Sequence, residues 1–220
     1  MHLLSKYVED ARILSEEEFR AFYPCPMLVT RRMLGGDIKR HQRERTWLER
    51  TNALESITLL HITDYSDSVT QPIDTEIMQT REIAQPICFP VQKTTRFSIY
   101  GEEYGDLCPW PDNALTVGRF QNSDVLINEY TVSKIHAWFL LDPLGDSHWI
   151  TDAGSTNGTW VGKQRLKPGE RKLVQSGQFL TFGRMVVQYY VESDFYAYVS
   201  NMLNSHRFGY QQANNHTSSV

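Results

Sequence analysis

Cysteine is scarce in this chain of 220 residues. Cys25, Cys88 and Cys108 are odd in number and far apart, with no C-x-x-C pair and no histidine at metal-ligand spacing. That pattern argues against a disulfide framework or a zinc module and fits free thiols in a reducing compartment, with no metal expected. Long apolar runs are also missing. The opening stretch MHLLSKYVEDARILSEEE has only a two-residue apolar run before charge begins, too short for a signal-peptide core, and no later segment nears the roughly 18 apolar residues of a membrane span. The chain is therefore expected to be soluble and cytoplasmic, with no membrane partner. A basic excess is lacking too: 22 Lys+Arg stand against 26 Asp+Glu, a formal net charge of -4. Nucleic-acid binding usually needs the opposite balance, so any phosphate chemistry must be local.

What is present is enough apolar material for one substantial core and a small second one, with hydrophobic residues at 40%. Ser15-Glu-Glu-Glu18 has the spacing of a capping box ahead of Phe19, Phe22 and Tyr23, which predicts a short helix ended by Pro24 and Pro26. Residues 37–50 read as a charged helix and 56–63, rich in β-branched and apolar residues, as a strand. Residues 64–85 are polar and acidic, which suggests a linker or an exposed loop rather than core, and a domain boundary near residue 90. Residues 1–85 are thus expected to form a mixed α/β annex of unassigned role.

From Thr94 onward, short apolar segments separated by turn signals replace this pattern. They cover 96–100, 114–117, 125–127, 135–141, 149–151, 159–161, 173–174, 178–182 and 185–191. Such spacing without long helical periods predicts a mainly β chain, an antiparallel β-sandwich over 86–192. Phe195, Tyr198, Val199, Met202 and Leu203 then recur at helical spacing, predicting a C-terminal helix over 193–204 and a disordered polar tail over 205–220.

Three clusters at strand ends carry the chemistry: Val117-Gly-Arg-Phe120, Val132-Ser-Lys-Ile-His-Ala137 and Ile150-Thr-Asp-Ala-Gly-Ser-Thr-Asn-Gly-Thr159. Guanidinium, ammonium, hydroxyl and amide donors on glycine-shaped loops suit an oxyanion of about two negative charges. A phosphate on a peptide is the natural candidate.

At these residues the chain closely resembles the forkhead-associated (FHA) family: Gly118-Arg119, then Ser133-Lys-Ile-His136, then Gly154-Ser-Thr-Asn-Gly-Thr159, in family order over about residues 92–192. The resemblance implies a sandwich of two twisted antiparallel sheets with a phosphothreonine peptide held by loops at one end. Carried over, it implies that Arg119 and Ser133 bind phosphate oxygens, that Lys134 and Thr156 add donors, and that Asn157 holds the peptide backbone. The family often has Asn or Arg after the serine, so Lys134 substitutes a flexible point charge for a planar group. Specificity beyond the phosphothreonine is expected from Thr131 and Arg184, the latter favouring an acidic residue C-terminal to it.

The remaining residues have plainer readings. Gly118, Gly154 and Gly158 are expected to shape turns, because glycine permits positive φ. His136 is expected at a strand start in a structural hydrogen bond, and Asp152 as an organiser of its loop. The nucleophile elbow G-x-S-x-G is absent, and no catalytic role or cofactor is expected. Trp138, Trp149 and Trp160 are expected to pack in the core. The chain thus reads as a non-enzymatic phosphothreonine reader, with a phosphorylated protein as partner and a Ser/Thr kinase upstream. The alternatives are a degenerate FHA fold acting as a phospho-independent scaffold, and a nucleic-acid contact through the basic stretch 31–45, whose charge run more often marks a solvated surface.

Overall fold

The computed structural model describes residues 1–35, 80–94, 110–141 and 148–216. The expected helix over 37–50 and the expected strands over 56–63 and 96–100 lie outside these residues, as does Cys108.

Two sheets face each other. The smaller contains β5 (Leu115–Gly118), β6 (Val125–Leu126), β7 (Ala137–Leu141), β8 (His148–Asp152) and β11 (Arg171–Val174), in the order β11-β8-β7-β5-β6. The larger runs β1-β4-β2-β13-β12-β9-β10, with β3 also on β2. Its strands are β1 (His2–Leu3), β2 (Met27–Leu34), β3 (Thr80–Glu82), β4 (Ile87–Pro90), β9 (Thr159–Val161), β10 (Gln164–Arg165), β12 (Phe179–Phe182) and β13 (Met185–Tyr190). Pairing is antiparallel apart from β5 with β6. The main core between the sheets includes Val117, Phe139, Ile150, Leu180, Phe182 and Val187. Burying each such side chain is worth about 1.5–3 kcal/mol.

The boundary expected near residue 90 does not separate an annex from the sandwich. β2 lies in the middle of the large sheet, paired with β13 from Met27↔Tyr190 to Met33↔Met185. Successive strand residues point to opposite faces. Leu28, Met33, Ile87 and Phe89 enter the main core, while Met27, Val29, Cys88 and Tyr190 face the other way into a second core. Among the described residues three helices cover that second face: α1 (Leu4–Ile13), α2 (Glu16–Phe22) and α3 (Glu192–His216) supply Leu4, Tyr7, Phe19, Phe195 and Val199. The described residues therefore form helices on sheet on sheet. Strand β3 also occupies residues read as linker, where it pairs with Arg32, Met33 and Leu34. Local polarity concealed both strands, because their partners are far away in sequence.

α2 begins at the capping box, with Ser15 Oγ accepting from Glu18 N–H and Glu18 Oε2 accepting from Ser15 N–H. α3 runs on to His216, so the expected disordered tail is helical for most of its length. Trp138, Trp149 and Trp160 are half-buried rather than core residues. Trp149 and Trp160 each have a guanidinium over the ring, from Arg171 and Arg165 respectively. Buried Cys25 and Cys88 are free thiols, and burial pushes Cys25 up to about 11 and Cys88 higher. Among the described residues no helix is long and apolar enough to cross a membrane.

Candidate phosphate-binding loops

Strand register brings the three clusters to one end of the sandwich. Val117 on β5 pairs with Ala137 on β7, which pairs with Asp152 on β8. The chain therefore leaves β5, enters β7 and leaves β8 along one edge, and the loops 119–124, 127–136 and 153–158 meet there. The third loop crosses between sheets, since β8 belongs to the small sheet and β9 to the large one. Asp152 fixes that crossing. Its Oδ1 accepts from the Gly154 and Ser155 N–H groups at 2.8 and 3.0 Å, and its Oδ2 accepts from the Ser155 and Thr159 hydroxyls, both at 2.6 Å. With four donors on a buried carboxylate, Asp152 organises its loop.

His136 joins the second loop to the third. Its Nδ1 accepts from Ser133 N–H at 3.0 Å, and its Nε2 lies 3.1 Å from the Gly158 carbonyl. A backbone N–H can only donate, so Nδ1 carries no proton and Nε2–H donates to the carbonyl. Burial pushes this imidazole down to about 4, which keeps the neutral tautomer that both bonds require.

The residues expected to hold phosphate are brought together in part. Arg119 N–H donates to the Ser133 carbonyl at 3.1 Å, which ties the first loop to the second. Arg119 is the largest fully buried side chain among the described residues, at 2% exposure. Ser133 Oγ accepts from Thr156 N–H at 3.1 Å and lies 3.5 Å from Thr156 Oγ1, so these two hydroxyls share one spot. Asn157 Nδ2 donates to the Thr131 carbonyl at 2.7 Å. The Lys134 backbone carbonyl accepts from Phe120 N–H at 3.2 Å, while its side chain is half-buried.

Gly118 does not shape a turn. A Cβ on it would fall 2.0 Å from the Lys134 carbonyl oxygen, so the residue is needed for close approach of two backbones. Gly154 and Gly158 do have positive φ, 80° and 84°.

The two expected specificity residues face inward instead. Thr131 is fully buried: its hydroxyl donates to Glu129 Oε2, its N–H donates to the same oxygen at 2.9 Å, and its Oγ1 accepts from Arg184 N–H at 3.1 Å. Arg184 is 6% exposed and gives its Nε to Glu129 Oε1 at 2.9 Å and its Nη2 to Tyr130 OH at 3.2 Å. Neither side chain is offered to a ligand. Glu129 was not singled out from sequence, since a lone glutamate in an Asn-Glu-Tyr-Thr run carries no signal of burial.

The basic stretch fares similarly where it is described. Arg31 lies on β2, not on a helix. Its guanidinium donates to Gln188 Oε1 and to the hydroxyls of Tyr190 and Tyr198, and it stacks over the Tyr198 ring at 4.8 Å. Arg31 pins α3 to the sheet; residues 36–45 lie outside the described set.

The family model of the FHA domain matches residues 115–183. Over 68 residues the chain is 37% identical to protein FraH of Nostoc sp., a match covering 31% of this chain and 21% of that protein. It is 33% identical over 69 residues to the oxoglutarate dehydrogenase inhibitor of Corynebacterium glutamicum, covering 31% and 45%. The glycogen accumulation regulator GarA of Mycolicibacterium smegmatis is 32% identical, with 31% and 40% covered. The match thus spans less than half the length of these relatives. Similar solved structures include the N-terminal FHA domain of S. cerevisiae Rad53p with a phosphothreonine peptide, at 25% identity and TM-score 0.34, covering 38% of this chain and 72% of that one. The FHA domain of CT664 from Chlamydia trachomatis matches at 20% identity and TM-score 0.33, covering 35% and 74%.

Proposed function

We propose that the FHA domain of residues 115–183 makes this chain a phosphothreonine-peptide receptor, one that recruits a partner already modified by a Ser/Thr kinase. The observation that carries this reading is the closure of three loops on Ser133. Arg119 N–H holds its carbonyl, His136 holds its N–H, and Thr156 N–H holds its Oγ. With one lone-pair site on Oγ taken by Thr156 N–H, the hydroxyl proton, which faces Thr156 Oγ1 across a long 3.5 Å contact, can turn to donate to a ligand oxygen there. Arg119, on the loop tied to Ser133, supplies the fixed positive charge, and Lys134 adds a mobile one.

Asn157 sits beside Thr156, its amide steadied by the Nδ2 bond to the Thr131 carbonyl, and a planar amide held at this loop is suited to pairing with an extended peptide backbone. A partner bound this way needs no catalysis from the receptor. The deciding experiment is a titration of the chain with an oriented phosphothreonine library, run against phosphoserine and unphosphorylated versions. Saturable binding of the phosphothreonine set alone is expected. Equal binding of unphosphorylated peptides would transfer the site to the scaffold reading.

A further inference from the structure

We propose that Arg165 is the residue that selects the flanking sequence of the bound peptide, by pairing with an acidic side chain near the phosphothreonine. The inference rests on the phosphothreonine-receptor reading and deepens it.

Arg165 ends β10, directly opposite Trp160 on β9, and its guanidinium carbon lies 5.9 Å from the Trp160 ring centroid. The side chain turns back over the third loop. A Cβ on Gly158 would fall 2.5 Å from Arg165 Nε and 2.9 Å from Nη2, so the guanidinium fills the space that a side chain at 158 would occupy. Gly158 is thereby buried while Arg165 is exposed. Gly158 serves twice, adopting a φ of 84° and leaving a seat for the arginine. The next residue back is Asn157, which the proposed function assigns to the peptide backbone.

Among the described residues the Arg165 guanidinium has no hydrogen-bond or ion-pair partner; it lies against the Trp160 face and the Gly158 backbone. A planar fork of donors, steadied on an aromatic ring at the rim of a peptide site, suits a carboxylate. This distinguishes it from Arg184, whose guanidinium is spent on Glu129. Because Arg165 is seated on Gly158, the neighbour of Asn157, the acidic side chain belongs to a residue flanking the phosphothreonine.

The test uses the full chain and a phosphothreonine peptide library in which Asp, Ala or Lys is placed in turn at each of about three positions on either side. The expected result is one position at which Asp binds about three- to fivefold more tightly than Ala, the range of an exposed ion pair. In Arg165→Gln the Asp-to-Ala ratio at that position falls toward one, in Arg165→Lys part of it remains, and in Arg165→Glu the preference passes to Lys. Thermal melts confirm that each variant is folded. Phosphothreonine-dependent binding with no acidic preference, or a preference that survives Arg165→Glu, overturns the inference and leaves the receptor reading standing. A folded chain that binds no phosphopeptide overturns both.

Discussion

Glu129 and Arg184 form an ion pair, Oε1 to Nε at 2.9 Å, with side-chain exposures of 0% and 7%. The pair connects the second loop to the turn between β12 and β13, and the connection continues toward the ligand. Glu129 Oε2 accepts both Thr131 donors, and the Thr131 carbonyl accepts from Asn157 Nδ2. Burial pushes the Glu129 carboxyl up against the pull of Arg184 and Thr131.

Removing one partner strands the other charge in the core. Glu129→Ala should cost about 3–5 kcal/mol, whereas the double variant Glu129→Met, Arg184→Met should recover most of that loss. Chemical denaturation measures both. A double variant no more stable than Glu129→Ala would show that the pair contributes well beyond its own neutralisation. Phosphopeptide affinity should stay reduced in the double variant even where stability returns, because Thr131, no longer held by Glu129, positions Asn157 less firmly.

Gly118 and Gly154 provide a contrast between two reasons for glycine. At Gly118 an alanine Cβ would lie 2.0 Å from a backbone oxygen that cannot rotate away, so Gly118→Ala must push the first loop off the second. At Gly154 the added methyl meets open space, and the cost is left-handed strain of about 1–2 kcal/mol. Gly118→Ala should therefore destabilise the chain more than Gly154→Ala and lower phosphopeptide affinity as well. Equal melting temperatures for the two variants would contradict this.

The sandwich and its loops were legible because each strand from β5 to β13, apart from the polar two-residue β10, has its own short apolar run and turn signal. Ser133, Thr156 and Asn157 sit on loops whose meeting follows from strand register. β2 was hidden because Arg31 and Arg32 make it look like part of a basic surface. The Arg31 charge is absorbed by Gln188, Tyr190 and Tyr198, more than 150 residues away. Arg184 misled for the same reason, since sequence shows a cation but not the carboxylate that neutralises it. Arg165 went unnoticed because only folding lays it over Gly158.

Arg119 and Lys134 should differ sharply as phosphate ligands. Hydrogen bonds to charged groups are worth about 1.5–3 kcal/mol each, and a guanidinium can make two. Arg119→Ala should weaken phosphopeptide binding by at least about a hundredfold, and Lys134→Ala by less than about tenfold. Because Arg119 is buried, its variant needs a melting curve beside the titration. A folded Arg119→Ala that binds normally would move the phosphate elsewhere.

Acid should act on this chain in two separable ways. His136 and His148 are both pushed down to about 4 by burial, from an ordinary value of 6.5. An unfolded chain takes up these two protons as the pH falls through 6.5, while the native chain resists until about 4. Stability is therefore full above the unfolded value and declines across that window. Glu129, pushed up, acts in the opposite sense, so the useful comparison is between the chain and its His148→Gln variant. The urea midpoint of the variant should fall less between pH 7 and pH 5, and parallel falls would refute the assignment. Phosphopeptide affinity should drop over a similar range because the second phosphate pKa lies near 6. A difluoromethylene phosphonate analogue, whose second ionisation is more acidic, separates the two effects. It should move the loss of affinity to lower pH while leaving the loss of stability of the free chain where it was.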